Sequence, residues 1–202
     1  MKSLGVRLPK TKVGEATFKK IIRTGKRLFA KHGFQATSIN DIIAKSKVAA
    51  GTFYLYFDNK LALYMHLLEE YKREIRLTSA TAVTGFKTRY EIEREGLKSF
   101  IRYVRRDPLA YKLIWESMSV DPNIFKEYYE SFAASYGFHL KEYVEKGQVR
   151  DDIDLVTASY ILMGIANFVG LQVLFQDDIS ESEIDRIVEE AMKMIDSGLL
   201  KK

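Results

Sequence analysis

Residues 37–60 read Thr37-Ser38-Ile39-Asn40-Asp41-Ile42-Ile43-Ala44-Lys45-Ser46-Lys47-Val48-Ala49-Ala50-Gly51-Thr52-Phe53-Tyr54-Leu55-Tyr56-Phe57-Asp58-Asn59-Lys60. Ile39, Ile42 and Ile43 fall at i, i+3 and i+4, so they share one face of a short helix, and that face must be buried. Thr37 and Ser38 stand just before it as candidate N-caps, with Asn40 and Asp41 three residues after each in a relative of a capping box. After a tight turn, Phe53 and Phe57 share a face and pack inward, which leaves Thr52, Leu55, Tyr56 and part of Tyr54 pointing outward. Two short helices about a turn, the second presenting hydroxyls and rings, have the shape that enters the major groove of DNA.

The ordered string Ala36-Thr37-Ser38, Asp41-Ile42-Ile43-Ala44, then Val48 through Lys60 and Leu63 resembles the DNA-binding segment of TetR-type (TetR/AcrR) transcriptional regulators. In that family a run Gly-Thr-apolar-Tyr-x-Tyr-Phe-x-x-Lys forms the recognition helix and the start of the next helix, and here it spans Gly51 to Lys60. The specific resemblance covers residues 15 to 64; the remainder is similar only in length and helical layout. It implies that Thr52 touches bases, that Tyr54 and Tyr56 touch bases or phosphates, and that Lys60 meets a phosphate. Gly51 can bring its backbone near the DNA, and Thr37, Ser38 and Lys47 are placed to bind phosphate through hydroxyl, backbone N–H or charge. Two residues depart from the family pattern: Lys47 replaces its usual turn glycine and Ala49 its usual Ser or Thr cap. Either Lys47 carries about 1 kcal/mol of left-handed strain or the turn differs slightly from the family's, and a missing capping hydroxyl costs about 1 kcal/mol as well. The recognition helix also lacks Arg, Asn and Gln, the bidentate readers of guanine and adenine. Sequence choice therefore leans on thymine methyl groups, DNA shape and the N-terminal arm.

Charge divides the chain in the same way. The formal net charge is +5, yet residues 1–60 hold 13 Lys or Arg against 3 Asp or Glu, a net of +10, while residues 61–202 hold 19 against 24, a net of −5. A basic head followed by an acidic remainder suits a polyanion-binding segment on a body that does not bind DNA. A chain of 202 residues with 47% hydrophobic content supports a substantial core. The absence of cysteine excludes disulfides, thiolate metal sites and a cysteine nucleophile, and with no apolar leader at the N-terminus it fits the cytoplasm.

The hydrophobic periods run helical throughout, about nine helices in an all-α fold with no strand run. Residues 1–14 read as a basic flexible arm, 15–60 as a three-helix DNA-binding head, and 61–202 as a larger ligand-binding and dimerisation domain. From Asn59 one helical pattern runs to about Thr81, followed by helices over 87–106, 109–118, 123–146 and 155–175 and one opened by Ser180-x-x-Glu183. The segment Leu155–Phe175 approaches membrane length, but Thr157, Ser159, Asn167 and Gln172 interrupt it and acidic pairs flank both ends. It reads instead as a helix buried on several sides. By the resemblance, the last two helices pair with their symmetry mates as a four-helix bundle, with Gly164, Gly170, Ile184, Ile187, Val188 and Ala191 as the dimerisation residues.

A second candidate site lies in the body, where Phe100, Tyr103, Trp115, Met118, Tyr129, Phe132, Tyr136, Met163 and Phe168 are set at helical spacing, with Glu116 and Asn167 as orienting polar groups. Such residues commonly form plain core, but an excess of Tyr and Trp, whose polar tips seek partners when buried, favours a cavity for a small apolar or weakly polar effector. His32 ends a helix, His66 lies on the long connecting helix and His139 has no carboxylate or His at ligand spacing, and no phosphate loop or nucleophile elbow occurs, so catalysis, metal and cofactor have no support. These features together indicate a homodimeric repressor released from a palindromic operator by its effector. The rival is an all-helical apolar-ligand carrier or enzyme whose basic head confers solubility, and it predicts ligand affinity indifferent to DNA.

Overall fold

A computed structural model describes residues 5–200, and among these the chain is all-α with nine helices. They are α1 (Lys12–His32), α2 (Ile39–Ser46), α3 (Ala50–Tyr56), α4 (Lys60–Ala82), α5 (Arg89–Arg106), α6 (Pro108–Val120), α7 (Pro122–Glu145), α8 (Leu155–Leu174) and α9 (Glu181–Leu199). Their starts follow local chemistry. Thr11, Ser38, Thr88, Asp154 and Ser180 each accept a backbone N–H of the first turn through a side-chain oxygen, satisfying one of its orphan donors. Pro108 and Pro122 open α6 and α7, where a missing N–H costs nothing.

The described residues form two compact units, one of 5–73 with 109–126, the other of 74–108 with 127–200. This division departs from the boundary expected at residue 60. The first part of α4 and the whole of α6 after Pro108 belong with the head. The reason is local: Tyr64 donates its hydroxyl to the Leu113 carbonyl at 2.6 Å, and Lys112 Nζ donates to the Ala30 carbonyl. The helix α1 also begins inside the stretch read as a flexible arm, since Thr11 caps it through Gly14 N.

The first unit has an aromatic core. Phe29, Phe53, Phe57 and Tyr64 are fully buried with Ile21, Ile42, Leu63 and Leu67, and Phe18 stacks on Phe57 at 5.1 Å between centroids. Aromatic pairs of this kind add to what area burial provides.

In the second unit α5 packs on α8 and α9 around Leu97, Ile101, Leu140, Leu162, Val173, Ile184, Ile187, Val188, Met192 and Ile195. The dimerisation residues expected from the sequence are thereby corrected. Ile184, Ile187 and Val188 are buried inside the chain, Ala191 packs partly against the same core, and a Cβ on Gly170 would stand 3.4 Å from Phe100, so this glycine serves the α5–α8 contact. Of the six, only Gly164 has open space before it. Within its own chain α8 is little covered: only 28% of its most apolar window is buried. Val156, Tyr160, Ile161 and Phe168 are exposed along it.

Candidate nucleic-acid interface

Ser38 builds the start of α2 by a reciprocal capping box: its hydroxyl accepts Asp41 N–H, and Asp41 accepts the Ser38 N–H at 2.9 Å. The Asp41 carboxyl is held below its ordinary value chiefly by the Ser38 hydroxyl. Thr37 takes no part in this cap. It is buried and donates its hydroxyl to the Gly33 carbonyl at 2.8 Å, so the phosphate contact expected of that hydroxyl is spent on the loop between α1 and α2.

The turn after α2 is made by Lys47, at φ 51° and ψ 47°, the one non-glycine residue with positive φ among those described. Its N–H donates to the Ala44 carbonyl at 3.3 Å, and its side chain is exposed beside exposed Lys45. Ala49 then opens α3 without any side-chain cap. Of the two alternatives open for the turn, the left-handed lysine is the one observed, and α3 starts uncapped.

On α3 the inward and outward sides separate cleanly, but not as the sequence implied. Phe53 is wholly buried, and Tyr54 (49% exposed) and Leu55 (58%) face out. Tyr56, expected outward, is only 7% exposed, with its ring edge-on to Phe18 at 5.4 Å. Three residues after Phe53, it falls on the same buried side of the helix, and residues 5–14 close over it. A Cβ on Gly14 would lie 3.1 Å from the Tyr56 hydroxyl. Gly51 is exposed with nothing within 4 Å of where a side chain would begin, and Thr52 is half-buried.

Lys60 is the second correction. Its Nζ donates to the Phe34 carbonyl at 2.6 Å and lies 4.2 Å over the Phe34 ring, so it braces the loop after α1. Loss of surrounding water lowers its pKa, with the Glu116 carboxylate acting in the opposite sense. Glu116, expected to orient an effector, instead accepts the Phe34 N–H at 2.6 Å. The residues that sequence reasoning missed are Arg7, Asp58, Lys112 and Phe34. Arg7 N donates to the Tyr56 carbonyl at 2.8 Å, while its guanidinium donates to the Tyr54 carbonyl at 3.1 Å and to Asp58 at 2.6 Å. No sequence signal marks pairs separated by 47 or 51 residues.

The candidate effector residues divide between the two units. Trp115, Glu116 and Met118 lie in the first, with Trp115 6.1 Å from Phe125 and Met118 exposed. Phe100, Tyr103, Tyr129, Phe132, Tyr136, Met163, Asn167 and Phe168 lie in the second. There Tyr129 donates to Asn167 at 3.4 Å, Arg76 stacks 4.9 Å over Phe132, and buried Tyr103 donates to Glu74 at 3.3 Å. Tyr136 donates to Glu93, which also pairs with Arg89, and both charged residues are buried. That triad is closed on itself: the guanidinium, the carboxylate and the phenol satisfy one another. Phe168 is 66% exposed, which removes it from an interior site.

The helices α2 and α3 about the Lys47 turn, on a basic three-helix head, have a helix-turn-helix layout, and the outer face of α3 carries no acidic residue. Residues 21–67 match the family model of bacterial regulatory proteins of the tetR family. The chain is 30% identical over 94 residues to the HTH-type transcriptional regulator YuxN of Bacillus subtilis (strain 168), an alignment spanning 46% of this chain and 31% of that protein. The chain thus spans about a third of the length of this curated relative. Among solved structures, a TetR-family transcriptional regulator from Syntrophomonas wolfei superposes with TM-score 0.78 at 22% identity, covering 91% of this chain and 96% of the other. The fatty acid degradation regulator FadR of Bacillus halodurans gives TM-score 0.76 at 18% identity, covering 90% and 95%. At these identities the structural likeness is one of fold.

Proposed function

We propose that the chain is a cytoplasmic, homodimeric transcriptional repressor that binds a palindromic operator and is released by a small apolar or weakly polar effector. The observation that carries this reading is the outward face of α3, with Gly51, Thr52, Tyr54 and Leu55 presented on a segment of net charge +10. Phe53, Tyr56 and Phe57 anchor that face from below. Direct readout falls to the Thr52 methyl and hydroxyl and to the Tyr54 ring, with the exposed lysines 45 and 47 and the Ser38 end of α2 supplying phosphate contacts. Thr37, Tyr56 and Lys60 serve by holding the head together.

The dimer seam is the exposed stripe of α8. Val156, Tyr160, Gly164 and Phe168 recur every four residues, and Ile161 lies beside them. A helix so apolar and so little covered by its own chain calls for a partner surface, and the open space before Gly164 permits close approach. A C2 pair made there presents two heads to successive major grooves, roughly 34 Å apart. The effector contacts on the second unit are Phe100, Tyr129, Phe132, Met163 and Asn167. The fold is shared with a regulator named for fatty acid degradation, which favours an apolar effector.

Fluorescence anisotropy with duplexes from the chain's own promoter region tests the DNA role. Sequence-preferring binding that weakens steeply as salt rises is the expected result. Affinity equal for operator and scrambled duplex at low salt removes it. Effector action is tested by adding straight-chain fatty acids as probes, since a true effector must also bind less tightly to the operator complex.

A further inference from the structure

The segment before α1 is built into the reading head. Val6 pairs antiparallel with Phe57, Asp58 N–H donates to the Gly5 carbonyl at 2.9 Å, and Arg7 N–H donates to the Tyr56 carbonyl at 2.8 Å. The Arg7 guanidinium spans two further acceptors, the Tyr54 carbonyl at 3.1 Å and Asp58 Oδ1 at 2.6 Å. These contacts all meet the C-terminal end of α3, a helix of 7 residues whose N-terminus has no side-chain cap. A helix that short does not hold itself, and a cation on its last carbonyls is favourably placed against the helix dipole.

We propose that Gly5–Arg7 is a clamp that fixes the orientation of the recognition helix, with Arg7 as a positioning residue that sets sequence discrimination without touching DNA. This rests on the DNA-binding role proposed above. The chemistry is specific to the two residue types. A planar guanidinium reaches a carbonyl and a carboxylate at once, which a lysine's single ammonium does not. Gly5 has φ +64°, and a Cβ there would meet Asp58 Oδ2 at 2.7 Å, so any side chain is both strained and in collision with the clamp's own acceptor. Arg7 and Asp58 are 58% and 47% exposed, so their ion pair adds little to global stability. Its effect is on geometry: a base contact fails once its side chain sits about 0.5 Å out of place. The Tyr54 carbonyl that Arg7 holds belongs to the residue whose ring faces out.

The test uses the full chain, Arg7→Ala, Arg7→Lys and Gly5→Val. A preferred duplex is selected from a random-sequence pool with the unsubstituted chain, and affinities for it and for a scrambled duplex are measured at several salt concentrations. Exchange of the Asp58 amide hydrogen is followed without DNA. Arg7→Ala and Gly5→Val are expected to cut the preference for the selected duplex about five- to tenfold. Scrambled-duplex affinity and salt slope stay put in both, the thermal midpoint holds in Arg7→Ala and falls in Gly5→Val, Asp58 exchanges faster, and Arg7→Lys restores the preference only in part. Equal weakening on both duplexes with a salt slope lower by about one phosphate makes Arg7 a phosphate contact and overturns the proposal. Unchanged preference despite faster exchange also overturns it. Absence of any preference in the unsubstituted chain overturns the DNA role and the positioning role with it. Asp58 exchange, measured without DNA, shows whether the clamp itself still stands.

Discussion

Replacing Tyr56 by alanine removes a ring packed edge-on to Phe18 at 5.4 Å and leaves a void under the recognition helix. The expected cost is about 3 kcal/mol of stability or more, read as a lower urea midpoint with unchanged slope. Tyr54→Ala, on the exposed side of the same helix, is expected to leave that midpoint within about 0.5 kcal/mol while weakening operator binding. A reversed pattern in the two melts would return Tyr56 to the DNA face. Lys47 separates stability from affinity differently. Its left-handed backbone is strained in any residue with a Cβ, so Lys47→Gly is expected to stabilise by about 1 kcal/mol. The same change removes an exposed charge beside the turn, so operator affinity falls and the salt slope shrinks by about one phosphate contact. A destabilised glycine variant would refute the strain argument.

At the scale of elements, three helix starts share a carboxylate device. Asp41 at α2 and Glu91 at α5 answer the capping hydroxyls of Ser38 and Thr88, and Asp154 caps α8 through Thr157 N–H. All three carboxyls are held below their ordinary values, first by a side-chain hydrogen bond, from Ser38 to Asp41, from Thr88 to Glu91 and from Thr157 to Asp154. A depressed folded-state pKa means the stabilisation is complete above the ordinary values of 3.8 for aspartate and 4.5 for glutamate, and is lost as pH falls through the folded-state values. The urea midpoint is therefore expected to drop between about pH 5 and about pH 3, with a shallower fall in an Asp41→Asn, Asp154→Asn double variant. An equally steep fall in that variant would assign the acid sensitivity elsewhere. The caps at Ser38 and Ser180 are legible in sequence because a cap is local: each lies within one turn of its third neighbour. The role of α6 was not legible, because what joins it to the head is a set of contacts between residues 49 to 82 positions apart, such as Glu116 with Phe34.

For the molecule as a whole, the division into two units and the stripe on α8 govern the expected behaviour. Ile161→Arg places a charge on the exposed apolar face, where nothing in its own chain has to move. It is expected to convert a dimer to a monomer in sedimentation velocity while leaving helical content intact, and to abolish tight operator binding because two half-sites are no longer engaged together. A monomeric unsubstituted chain, or an unaffected dimer, would dismiss the α8 seam. The last two helices were expected to dimerise, but the residues first chosen on α9 point into their own core. Ile184, Ile187 and Val188 follow a helical period that marks an apolar face without saying which neighbour covers it.

The order of residues along the chain determined by itself the helical class, the caps at Ser38 and Ser180 and the basic head, because each depends on neighbours within a few positions or on summed charge. Tertiary structure alone decided which tyrosine of α3 faces outward, that Lys60, Thr37 and Glu116 are spent on internal contacts, and that the N-terminal segment pairs with the end of α3. Those outcomes depend on groups far apart in sequence competing for the same burial and the same hydrogen-bond partners, a competition resolved only once the chain has folded.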